Sequence, residues 1–154
     1  ATIDELIDSM AAIIFAEASL SVSQFGDFQL ALSDAENLFP HYERLMYDPN
    51  LRGLPWKLTH VWRVDHKPQG IVEEIIVNHA GIPLEQVHEG LPKQIEDEPA
   101  PRIDCFVVDH NIVISIDVQI RKIVVIASSV EECEIFAKAN SNFRVHGFVL
   151  QENQ

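Results

Sequence analysis

The chain has 154 residues, enough for one domain with a real core and too few for two ordinary ones. Hydrophobic residues make up 47% and charged residues 23%, the balance of a soluble globular protein. The net charge of −13, from 11 Lys+Arg against 24 Asp+Glu, repels phosphate backbones and anionic lipid surfaces, which argues against nucleic-acid and membrane partners.

No apolar run reads as long enough to cross a membrane, and the stretch 10–16, flanked by Asp8 and Glu17, reads as a helix face. Thr2-Ile3-Asp4-Glu5 has the form of a capping box and predicts a helix to about Ser23. Residues 27–33 (DFQLALS) predict a short strand, and Asp34 or Asn37 is placed to cap a helix running to about Tyr47. Residues 58–65 (LTHVWRVD) predict a second strand, and residues 69–78 a helix stopped by Gly81-Ile82-Pro83. A brief strand is expected at 86–88, followed by an acidic, Pro-rich surface connection over 89–101. Residues 103–109 (IDCFVVD) form a near-continuous apolar run, the pattern of a strand buried on both faces. Residues 111–118 and 122–127 are rich in β-formers, Ser128 or Ser129 caps a helix over 130–139, and 144–150 closes with a strand. Alternating strands and helices predict a single α/β domain spanning 1–154, a mostly parallel sheet flanked by helices. Such sheets bind ligands beyond the carboxyl ends of their strands, here just after Ser33, Asp65 and Asp109.

The only cysteines, Cys105 and Cys133, fall in a buried-type strand and on a helix, so reduced structural thiols in a cytoplasmic setting are expected. Cys105 is a poor candidate nucleophile, because a thiolate is badly stabilised inside such a strand. His79 and His88 read as structural. Trp56 and Trp62 flank the second strand and read as packing residues, or else as an aromatic anchor for a partner. The run Glu96-Asp97-Glu98 reads as solvated surface, or else as an interaction element for a basic partner. Asp65-His66 and Asp109-His110 both sit at expected strand ends. They are either a repurposed acid–base or metal site built from the two pairs, or polar loop caps around a vacated pocket; their spacing matches no closed zinc motif, so no metal or cofactor is expected.

Several stretches, in order, resemble the 6-phosphogluconolactonase family and the related lactonase domain of hexose-6-phosphate dehydrogenases. They are FQLALS (28–33), YERL (42–45), LPWKLTHVWRVD (54–65), EIIVNHAGIPLEQVH (74–88) and PRIDCFVV (101–108), with RKIVVIASSVEECEIF (121–136) a weaker likeness. The resemblance implies an α/β fold of the glucosamine-phosphate-isomerase type and metal-free hydrolysis of 6-phosphogluconolactone in the pentose phosphate pathway.

The departures from the family pattern fall where its chemistry lies. Where the family carries a GGSTP phosphate loop, this chain has Ser33 followed by Asp34-Ala35-Glu36-Asn37-Leu38. Bare backbone N–H groups cradle a phosphate, whereas Asp34 and Glu36 introduce negative charge, so sugar-phosphate binding is not expected. Where the family has VDER and a long loop, this chain has Val64-Asp65-His66-Lys67, and Lys67 lacks the planar fork of the family's phosphate-facing Arg. Where the family has GMGxDGHTAS, with its general-base His, this chain has Asp109-His110-Asn111 and no glycines. A base needs reach as well as residue type. The primary expectation is therefore a non-catalytic relative with trimmed loops, serving as a protein-binding, adaptor or structural module. Its remnant pocket would be formed by Ser33, Asp34, Glu36, Asp65 and Lys67. An altered hydrolase using His110 and Asp65 is the alternative, and a trimmed scaffold without a biological role is a third reading.

Overall fold

The computed structural model describes residues 3–64, 70–93, 95–112, 114 and 118–149. Six strands form one sheet: β1 (Phe28–Leu32), β2 (Thr59–Arg63), β3 (Val87–Glu89), β5 (Cys105–Asp109), β7 (Ile123–Ala127) and β8 (Val145–Val149). Their order is β3-β2-β1-β5-β7-β8, and every neighbouring pair is parallel. A second, two-stranded parallel sheet joins β4 (Arg102–Ile103) to β6 (Gln119–Ile120). β1 lies directly beside β2, with Phe28 opposite Thr59 and Leu32 opposite Arg63, the pairing on which the loop comparison depends. From β1 the chain order runs outward to β2 and β3, then resumes on the other side at β5. The switch point of the sheet is thus the β1–β5 seam.

Side chains alternate across each strand, and helices cover both faces. On one face Phe28, Leu30, Leu32, Val61, Cys105, Val107, Val124 and Ile126 form a core with α1 (Ile3–Phe25), α2 (Phe39–Leu45) and the π-helical stretch Val72–Val77. The inward stripe of α1 is Leu6, Ile7, Met10, Ala11, Ile14 and Ala18, at three- and four-residue spacing, all buried. On the other face Ala31, Phe106, Val108, Ile123 and Val125 pack with Phe136 of α5 (Val130–Ala139). β5 and β7 are buried at every position, as expected of parallel strands covered twice.

Some expectations are corrected. Asp4–Phe25 has the length and mean hydropathy (1.5) that a membrane span also has, so the chain does contain one such run; here its inward stripe packs on the sheet. Thr2 of the expected capping box lies outside the described residues. The 103–109 run is not one strand. Asp104 interrupts it: its backbone N–H donates to Gln29 O (2.8 Å) and its Oδ2 accepts from Gln29 N (2.8 Å), clasping the start of β1. The 111–118 stretch contains no strand among its described residues, and 113 and 115–117 lie outside them. Asp34 does not cap the helix after β1, and the side chain of Asn37 lies outside what the structure describes. The chain there makes a 3-10 turn, Glu36–Leu38, and enters α2 at Leu38 with no side-chain cap, Pro40 standing in the first turn.

The α5 boundaries follow local chemistry closely. Ser129 Oγ accepts from Glu132 N (3.2 Å), while Glu132 Oε1 accepts from Ser128 N (2.9 Å), a reciprocal cap that satisfies two otherwise orphaned donors. The helix over 71–80 ends at Gly81, whose left-handed backbone (φ 65°) suits glycine and whose N–H donates to Val77 O.

Candidate functional site

Two polar clusters stand at the carboxyl ends of the strands. The first lies beyond β1 and β2. Ser33 is buried; its N–H donates to Val107 O (3.1 Å), its carbonyl accepts from Tyr42 Oη (2.7 Å), and its Oγ accepts from Ala35 N (3.2 Å). The hydroxyl is therefore tied into the turn it begins. Asp34 is 1% exposed and points inward. Its Oδ1 accepts from Val72 N (2.8 Å) at the start of the helical stretch, and its Oδ2 lies 3.6 Å from Arg63 Nε. Arg63, 4% exposed, also approaches Glu73 Oε2 at 3.4 Å. Gly70 makes this approach possible: a Cβ there would sit 2.6 Å from Asp34 Oδ1. Asp34 thus caps a helix, but the one after β2 rather than the one after β1. Its charge is spent within the chain on Arg63, whereas Glu36 is exposed. Asp65 and Lys67, with His66, lie outside the described residues.

The second cluster lies beyond β5. His110 Nδ1 is 3.0 Å from Asp109 Oδ1, and His110 Nε2 is 2.5 Å from Glu132 Oε2 on α5. Asn111 Nδ2 donates to Asp109 Oδ2 (2.9 Å), which fixes that carboxylate. The imidazole thus lies between two carboxylates of the same chain, with Nε2 on Glu132, while Nδ1 is close to Asp109 but makes no hydrogen bond.

Sequence reasoning missed Arg63, Gly70, Glu73 and Glu132. Arg63 was within reach, because in LTHVWRVD the alternation that turns Thr59 and Val61 inward also turns Arg63 inward. Glu132 was readable as a capping-box residue, but its second oxygen's role on His110 depends on the β5–β7 pairing.

Among the described residues, cavities of about 280, 300 and 120 Å³ lie away from both clusters. The first, at the opposite end of the sheet, is lined by Phe25, Arg102, Asp104 and Arg121 among others. Its guanidinium groups are already bound: Arg102 pairs with Asp27 and Asp104, and Arg121 with Glu17 and Ser21. Among the described residues, no three His, Cys, Asp or Glu side chains are grouped to hold a metal ion. On the outer part of the sheet His60 Nδ1 and His88 Nε2 are 2.9 Å apart, Trp62 stacks on His88 at 4.2 Å between centroids, and Trp62 Nε1 donates to Gln29 Oε1 (2.8 Å). Burial, followed by the nearby charge of His60, holds the His88 pKa below its usual value.

No protein-family model and no curated protein matches this sequence. Solved structures do. A 6-phosphogluconolactonase from Shewanella baltica OS155 superposes with a TM-score of 0.61 at 13% identity, over 96% of this chain and 94% of that one. The devB protein superposes with a TM-score of 0.62 at 13% identity, over 97% of this chain and 93% of that one. The fold is that of 6-phosphogluconolactonase. Within the lactonase fold, Asp34 and His110 stand at the ends of the two strands that flank the switch point, where ligands of open α/β sheets sit. At 13% identity the likeness speaks to architecture, and the chemistry rests on the side chains described above.

Proposed function

We propose that this chain is a non-catalytic protein of lactonase fold that acts in the cytoplasm as a protein-binding or structural module. The observation that carries this reading is the Asp34 carboxylate. It accepts the helix-start N–H of Val72 and places its charge 3.6 Å from the buried Arg63, at the strand end where an anionic substrate would need both. A sugar phosphate entering there would have to displace a buried carboxylate of like charge. The hold of Glu132 on His110 Nε2 supports the same reading, since a general base needs a lone pair aimed at its water. The test is hydrolysis of freshly generated 6-phosphogluconolactone, coupled to 6-phosphogluconate dehydrogenase and corrected for spontaneous opening. A rate equal to background is expected. A clear excess rate that His110→Ala abolishes would refute the proposal.

A second reading, an altered hydrolase, is favoured by one observation. Glu132 has a side chain 33% exposed, and its departure would leave an Asp109–His110 pair at 3.0 Å with Nε2 open. On that reading Glu132→Gln raises ester or lactone hydrolysis above background, and His110→Ala removes the gain.

A further inference from the structure

The two edges of the sheet are unlike. The β3 edge is three residues long, ends in the charged Glu89, and runs into Gly90, Leu91 and Pro92, which discourages a further strand. The β8 edge is five residues long, Val145-His146-Gly147-Phe148-Val149, with no Lys, Glu, Asp or Pro. In β8, Arg144 O accepts from Ile123 N (2.8 Å), and Ile123 is the register partner of Val145. In a parallel ladder a residue bonds the neighbours of its partner, so Arg144, His146 and Phe148 turn their backbone groups toward β7. Val145, Gly147 and Val149 therefore turn theirs outward, away from the sheet.

We propose that β8 is a self-association edge, taking β8 of a second copy of this chain antiparallel across a two-fold axis at Gly147. The pattern of the strand selects this occupant. Read in either direction it is Val, aromatic ring, Gly, aromatic ring, Val. Antiparallel pairing about Gly147 sets Gly147 opposite itself and Val145 opposite the partner's Val149, using the outward backbone groups. It sets His146 opposite Phe148 at the closer, non-hydrogen-bonded positions, extending the His146–Phe148 ring contact already present at 4.9 Å. Charge points the same way. From Lys138 to Gln151 there is no acidic residue and there are two cations, Lys138 and Arg144, so the strand itself brings no negative charge to the meeting of two −13 chains. The glycine at the axis has its own reason in the monomer: a Cβ on Gly147 would lie 2.9 Å from Cys133 Sγ on α5. Pairing adds about six backbone hydrogen bonds, two for each of three opposed residue pairs. It joins the two six-stranded sheets into one.

The test is sedimentation equilibrium of the full chain from about 10 µM to about 1 mM, the range in which small interfaces associate, at low and high salt. The average mass is expected to rise toward twice the monomer value with concentration, and further with salt as the repulsion of the acidic bodies is screened. Val145→Pro deletes an outward N–H and leaves the β7 ladder its bonds, so it should stay folded by circular dichroism and remain monomeric. Hydrogen exchange on the unmodified chain gives an independent reading. Protection of the Val145, Gly147 and Val149 amides should rise with concentration, while His146 and Phe148 stay constant. Monomer mass at every concentration and salt would overturn the proposal. So would association that Val145→Pro leaves intact, or association without the odd–even exchange pattern.

Discussion

Replacing Arg63 by Met is the sharpest probe of the cluster at the end of β1 and β2. The guanidinium is 4% exposed and lies 3.6 Å from a carboxylate on a residue 1% exposed. At an effective dielectric near 20, that pair attracts by about 4–5 kcal/mol before desolvation is counted. Met fills the volume but removes the buried positive charge that faces the Asp34 carboxylate. Removing one partner of a buried pair costs about 3–5 kcal/mol, so Arg63→Met should lower unfolding free energy by that much. Asp34→Asn keeps an acceptor for Val72 and leaves Arg63 the half-exposed Glu73 at 3.4 Å, so it should cost less, about 1–2 kcal/mol. In the double variant no uncompensated charge remains, and the loss should fall below the sum of the single losses by about 2 kcal/mol. Urea unfolding followed by Trp fluorescence measures all three. Additivity to within about 0.5 kcal/mol, or a cost for Arg63→Met under about 1 kcal/mol, would show that the pair does not hold this site.

Three further outcomes are expected. His88 binds its proton less well folded than unfolded, so between its usual value of 6.5 and the lower folded value the unfolded chain holds more protons. Stability should then be unaffected by this group above about pH 6.5 and fall as the pH drops toward the folded value; urea midpoints at descending pH check this, and His88→Gln should flatten that part of the slope. Burial first, and then the charge of Glu17, pushes the Cys105 thiol up to about 12, so thiol reagents at pH 8 should leave Cys105 unmodified until the chain unfolds, as mass spectrometry of quenched samples would show. Ser129→Ala removes the α5 cap and should cost about 1 kcal/mol in urea unfolding, with no loss if the cap contributes nothing.

Much of this fold is written in local pattern. The continuous apolar runs around Val107 and Val124 announce strands covered on both faces, and Ser129 with Glu132 marks the first turn of α5. What local pattern does not carry is the partner of a polar side chain far away in sequence. Asp34 looks like the cap of the helix that follows it. Its actual donor, Val72, is 38 residues on and reachable only because Gly70 lacks a side chain. Asp104 looks like one polar residue inside a strand, until pairing with Gln29, 75 residues away, shows why the strand breaks there. The same holds for His110. Its sequence neighbour Asp109 was visible as a contact, and Glu132 was not.

The strand order has a consequence for how the chain is assembled. Residues 28–89 supply β1, β2 and β3, and residues 105–149 supply β5, β7 and β8, so each half of the sheet is contiguous in sequence. The halves meet along one seam, where Leu30, Ala31 and Leu32 face Cys105, Phe106 and Val107, with the Gln29–Asp104 clasp at its start. The segment that carries the chain across is exposed at Glu96, Asp97 and Glu98. A backbone nick there would break no strand pairing. The two fragments would be held by the seam, by the shared cores, and by the Glu17–Arg121 bridge from α1. The protein is therefore built as a pair of pieces that could be expressed separately and recombined, a natural split reporter whose reassembly reads out the seam itself.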